Sequence, residues 1–201
     1  MAGKSDAYEA LVLNRAFKGA AVATLAAGPW IALIAASRGY GNAIRNAAVA
    51  LLDTVIPSTP NGRMYRVTTA GTTGATEPVW PTAAGATVAD GTAVWTEMTP
   101  DFEANTNLTE VAGGGYARKA TATTDWTVSG SGATPTQVTN ATAQAFPAPT
   151  ANWGLVAFVL IYDAATAGNQ LYMAAMTNPR QINNGDGAPS LAISTLVFTE
   201  D

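Results

Sequence analysis

From Ala151 to Asn178 the chain runs ANWGLVAFVLIYDAATAGNQLYMAAMTN. Leu155 to Tyr162 is an unbroken apolar run, rich in β-branched and aromatic residues and too short for a typical helix. A second apolar run opens at Leu171, and the stretch from Asp163 to Asn169 between them is small, polar and closed by a glycine. Two strong strands joined by a loop account for this pattern. A similar run, WIALIAAS from Trp30 to Ser37, follows a Gly-Pro turn and reads as a fully buried strand.

The neighbouring segments extend the β pattern. DTVIPSTPNGRMYRVTTAG, Asp53 to Gly71, is strand, Pro/Asn-Gly turn and strand, the signature of a hairpin. ATVADGTAVWTEM adds a strand after Asp90-Gly91, and Gly71, Gly74, Pro78 and Pro81 mark a long ordered loop. AIRNAAVALL is ambiguous between a short helix and a strand entry. NLTEVAGGGYARKATAT predicts an extended segment, a glycine bend and a strand. The C-terminal INNGDGAPSLAISTLVFTED predicts a turn and a final strand in which Leu191, Ile193 and Thr195 alternate with smaller residues. Many short strands separated by turns predict a mainly β chain, an antiparallel β-sandwich.

One helix is expected. Asp6 is placed to cap it, with Glu9 closing a capping box. Tyr8, Leu11, Val12 and the stem of Arg15 would share a face, and Gly19 would end it. The organisation predicted is residues 1–38 as helix and first strand of a main body, 39–100 as a small inserted β module, and 101–201 as the rest of the body.

The chemistry available is narrow. The 201-residue chain has no cysteine and no histidine. That removes disulfides, thiol nucleophiles, the usual zinc sites and imidazole catalysis. Charged residues make up 12%, about half the usual share, so surface is expected to be buried in an assembly of copies. A net charge of −4 with scattered Lys and Arg argues against nucleic acid. The uncharged run Ala20 to Ala36 falls short of the roughly 20 residues of a membrane span and is broken by Gly28-Pro29; no membrane partner and no leader are expected.

Tyr65, Trp80 and Trp95 could make a platform for a sugar ring, but the favoured reading is the core of a small module that needs large side chains. Asp53, Glu77, Asp90 and Glu97 could pair for glycoside hydrolysis, yet a shell of solvated charges is the preferred reading. Lys4 and Ser5, expected in a mobile N-terminus, do not resemble a catalytic dyad. NNGDG (183–187) and ADG (89–91) lack the ligands of a calcium loop and read as turns. No catalytic residue, cofactor or metal is expected.

Two resemblances add to this. SDAYEALVLNRAF, WIALIAAS, the T-E-V-x-G-G-G-Y-A-R motif at 109–118, the segment from Phe146 to Ile193 and the closing LVFTED resemble small structural proteins of tailed-bacteriophage virions, labelled tail fibre or head decoration proteins. Residues 53–97 resemble an inserted, chitin-binding-like small β module of phage structural proteins, although AAVALLDTV stands where such modules carry an aromatic. The resemblance implies a homo-oligomeric virion component assembled in the host cytoplasm and partnered by the major capsid protein or tail proteins. Of the two placements, capsid decoration (a cement protein on the head) is the expectation; a tail-fibre or tail-tip subunit touching surface glycan is the alternative.

Overall fold

The computed structural model describes residues 2–18, 28–130 and 136–200. In chain order, strand β1 (Ala2–Lys4) leads into helix α1 (Asp6–Lys18), and β2 (Trp30–Ala36) follows. Then come β3 (Thr54–Ile56), β4 (Tyr65–Thr69), β5 (Thr87–Asp90), β6 (Ala93–Glu97) and the short helix α2 (Thr99–Glu103). The C-terminal half supplies β7 (Trp126–Ser129), β8 (Thr136–Asn140), β9 (Gly154–Tyr162), β10 (Gln170–Ile182) and β11 (Val197–Glu200). Two-residue strands fill in the edges.

The central sheet has the order β1–β10–β9–β2, closed by the two-residue strand Lys119–Ala120, and every pair is antiparallel. The β9–β10 hairpin is the one read from Leu155 and Leu171. Both faces of this sheet are covered, which is why β2 and β9 are apolar at nearly every position instead of alternating. One face (Ile31, Leu33, Val156, Val159, Ile161) packs with Phe146, Trp153, Leu196 and Phe198. The other (Ala32, Ile34, Phe158, Leu160) packs with Ile56, Met64, Met98 and Phe102. Val156 and Val159 share a face although three residues apart, because the register slips between Val156 and Phe158; such a bulge inserts one residue and resets the alternation. Each large side chain fully buried here contributes roughly 1.5–3 kcal/mol.

Over the first face lies a three-stranded antiparallel sheet, β7–β8–β11. Against the second lies a five-stranded sheet drawn from residues 38–97, in the order Arg38–Gly39, β3, β4, β6, β5. Its one parallel pair joins Arg38–Gly39 to β3, and the rest is antiparallel. The molecule is therefore mainly β, antiparallel sheets packed as a sandwich, with one N-terminal helix and the small β unit at 38–97.

Several expectations change. Ser5, not Asp6, caps α1: its Oγ accepts from the Tyr8 N–H at 3.2 Å and donates to the Gln170 carbonyl, while its own carbonyl accepts from Glu9 N–H. The Lys4–Ser5 pair is not a mobile tail, since β1 pairs with β10 and Ser5 is buried. On α1, Tyr8 and Leu11 are half-buried but Val12 is exposed. Gly19, the first part of the run from Ala20 and the side chain of Arg15 lie outside the described residues. The final strand is two pieces: Ser190–Leu191, then a turn with Ser194 at φ 59°, then β11, which leaves Ile193 at the surface. The ambiguous AIRNAAVALL forms a 3-10 turn at Asn42–Ile44 and a two-residue strand at Ala48–Val49. Among the described residues no helix is long and apolar enough to cross a membrane.

Candidate functional site

The aromatic trio of the small β unit is the first place to look. Tyr65 and Trp95 point inward from adjacent strands β4 and β6, and neither exposes any surface. Trp80, carried on the loop between β4 and β5, is half-buried and closes over them. Its ring lies 4.4 Å from Tyr65 at 38° and 5.9 Å from Trp95 at 71°, and Tyr40 meets it edge-on at 5.5 Å. Rings tilted into one another in this way fill a core. They do not form a flat open platform: of the three sugar-contact candidates, only Trp80 keeps accessible ring surface. Tyr40, the fourth ring, carried no sequence signal because it sits in a short Gly-Tyr-Gly segment between the two-residue strand Arg38–Gly39 and β3.

The four carboxylates hold this unit together. Asp90 and Glu97 are not solvated; both are buried. Asp90 accepts from Trp95 Nε1 at 3.1 Å, Tyr40 OH at 3.1 Å and Gly74 N–H at 2.7 Å, tying β5, β6 and the loop to one point. Burial, then the Asp90 charge and hydrogen bond, push the Tyr40 phenol up to about 12. Glu97 accepts from Arg63 Nη1 at 3.0 Å, Gly85 N–H at 3.0 Å and Thr99 N–H at 2.9 Å. Glu77 accepts from Ser58 N–H at 2.9 Å, from the Ser58 hydroxyl and from Trp80 Nε1 at 2.7 Å. Burial raises the Glu77 carboxyl, but the Ser58 and Trp80 donors outweigh it and hold the group below its ordinary value. Asp53 accepts from Arg38 Nη2 at 3.1 Å and Ala50 N–H at 3.0 Å. Their lone pairs are committed to fixed donors, so these acids act as clamps. Gly91 makes the tight β5–β6 turn: its φ is +64°, and a Cβ there would stand 2.2 Å from the Thr72 carbonyl.

A second network surrounds the T-E-V-x-G-G-G-Y-A-R segment. Gly113, Gly114 and Gly115 all take positive φ, and a Cβ on Gly114 would press on Ala151 at 3.0 Å. The turn they make returns Arg118 onto Glu110, bound through Nε at 2.9 Å and Nη2 at 2.8 Å. The guanidinium lies 3.6 Å from the Tyr162 ring centre and donates to the carbonyls of Ala164 and Ala167 at 3.1 and 2.8 Å. It thereby staples the β9–β10 loop. Tyr116 OH donates to Glu110 at 3.0 Å and accepts from Leu33 N–H at 3.0 Å; burial raises its pKa first, with the Glu110 charge adding to it. Among the described residues, no group of three or more acidic side chains is arranged to hold a metal ion.

A further concavity lies elsewhere. A cleft of about 540 Å³ opens between α1, the end of β10 and the sheet β7–β8–β11. Tyr8, Leu11, Trp126, Val138, Tyr172 and Phe198 line it, with Asp163 and Asn169 at its rim. Asp163 is occupied by Asn169, which donates from N–H at 2.7 Å and Nδ2 at 2.8 Å. The sequence reading missed this cleft, since β7 and β8 were not identified and the residues come from segments far apart in the chain.

No curated protein matches the chain. A family model described as Podophage GP4 fiber I protein gp80 matches residues 82–199, from the loop before β5 through β11. With more than half of the 201 residues matched, this chain belongs to the family of the podophage GP4 fiber I protein gp80, a family of phage structural proteins.

Proposed function

We propose that the chain is a subunit of a phage fibre, a virion part that works through shape and packing with no catalytic step. The observation that carries this reading is the match to a fiber protein over β5 to β11, which takes in the three-stranded sheet and the β9–β10 hairpin of the central sheet. The physical arrangement agrees. A double-faced central sheet, a loop stapled by Arg118 and a small unit clamped by Asp90 and Glu97 give a rigid body. Rigidity suits a part that holds its form at the end of an attachment and is cast in many copies. Its partners are other tail proteins and further copies of itself. Head decoration, the other placement, would have the same body seated on the capsid lattice.

Particles assembled without the protein separate the two. The fibre reading expects filled, stable heads, missing tail appendages and a loss of adsorption to host cells. Heads that leak or burst while adsorption stays normal would overturn it in favour of a cement role.

A further inference from the structure

We propose that the cleft beside α1 is a binding site for a small organic cation, an ammonium ion that carries an apolar group. This inference goes beyond the fibre reading and does not depend on it. The cleft's volume of about 540 Å³ falls within the roughly 300–1,000 Å³ of small-molecule sites, which are also mostly apolar with a few placed polar groups. It is walled by α1, the end of β10 and the sheet β7–β8–β11, an enclosure suited to a compact molecule.

Two observations select the class of ligand. The first is the aromatic wall. Tyr8 stands 5.0 Å from Tyr172, Tyr172 stands 5.2 Å from Phe198, and Phe198 stands 6.5 Å from Trp126, with tilts of 45°, 44° and 50°. The four rings are therefore inclined to one another and line one hollow instead of stacking flat. A ring face carries the negative side of the aromatic quadrupole, so it attracts a cation, and it packs equally well against hydrocarbon.

The second observation is charge. Asp163 stands at the rim, and the two groups that donate to it, Asn169 N–H at 2.7 Å and Nδ2 at 2.8 Å, are neutral. They hold the carboxylate in place without cancelling its charge. Among the described residues no Lys or Arg lines the cleft, and the cations near it have other engagements. Arg118, which binds carbonyls on the same loop as Asp163, is paired with Glu110. Lys119 lies within electrostatic reach of Asp125, and Lys4, opposite Tyr172 in the sheet, is engaged as well. One negative charge is left at the mouth of an aromatic hollow. An anion would be repelled there, and a neutral apolar molecule would leave the charge unanswered. A cation with an apolar body satisfies both.

The full chain is titrated by calorimetry with three probes that share a benzyl group: benzyltrimethylammonium, benzyl alcohol and phenylacetate. The expected order puts the cation first, by about tenfold over the alcohol, and the anion last. The N-methyl proton resonances of the bound cation should move upfield, as ring currents of the wall require. In Asp163→Asn protein, which keeps an amide oxygen to accept from Asn169, the cation should lose its lead while the alcohol binds as before. Unchanged binding of the alcohol reports an intact cleft, so loss of the fold cannot imitate this result. Equal binding of cation and alcohol by the parent chain would overturn the proposal. A cation that shows no saturable binding, or whose lead survives Asp163→Asn, would overturn it as well.

Discussion

The small β unit and the α1 end of the molecule solve the same problem in opposite ways. Both are rich in aromatics. In the unit, Tyr40, Tyr65, Trp80 and Trp95 close on one another, and two carboxylates, Asp90 and Glu77, together with the Pro81 carbonyl satisfy the polar atoms that this closure buries. At the other end Tyr8, Trp126, Tyr172 and Phe198 also approach, with centroids 5.0 to 6.5 Å apart, but they line an open cleft. The difference lies in the polar clamps. Where buried acids draw loops inward, the rings become a core; where none does, the rings remain available for something else to cover. Aromatic content alone therefore does not locate a binding surface.

The largest predicted effect breaks the closed region. Glu97→Ala takes the carboxylate from Arg63 and the acceptor from the buried Thr99 N–H and the half-buried Gly85 N–H, and removing one partner of a buried pair costs about 3–5 kcal/mol. Chemical denaturation should show that loss, and a change below about 1 kcal/mol would mean that Glu97 is no clamp. Next in size is Arg118→Lys. A lysine keeps the charge but not the two-pronged contact to Glu110 or the stack on Tyr162, so a loss of about 1–3 kcal/mol is expected.

Alkaline pH probes the same region more gently. The Tyr40 phenol has its folded pKa raised from 10.0 to about 12. The folded state then keeps its proton while the unfolded state releases it, so this stabilisation is full below pH 10 and lost as pH rises to about 12. Tyr65, Tyr116 and Tyr162 shift in the same direction. Stability should fall over that window, followed by tyrosinate absorbance, and Tyr40→Phe should flatten the fall while costing about 1 kcal/mol at neutral pH. The smallest effect belongs to the open region: Phe17→Ser should leave the stability of the isolated chain within about 0.5 kcal/mol.

What was legible in the sequence follows the same division. The hairpin β9–β10 and strand β2 were readable because a sheet covered on both faces writes itself as an unbroken apolar run. The β3–β4 hairpin was readable from Asn61-Gly62. Strands β7 and β8 were not, since TDWTVS and TQVTN are short, polar and half-exposed, and the second partner of β8 arrives from the far C-terminus. The Ser5 cap escaped because its second bond goes to Gln170, and no local pattern reports a partner 165 residues away. Asp90 and Glu97 looked like surface charges because burial of an acid depends on donors such as Tyr40 and Arg63, which are distant in sequence. The aromatic trio was visible as residues, but only the fold tells inward rings from outward ones.

The most direct measurement is immunogold labelling of intact phage particles with antibody raised against the whole chain. Gold at the tail appendages, with bare heads, is the result predicted for a fibre subunit. Gold spread over the head surface, with unlabelled tails, would contradict it.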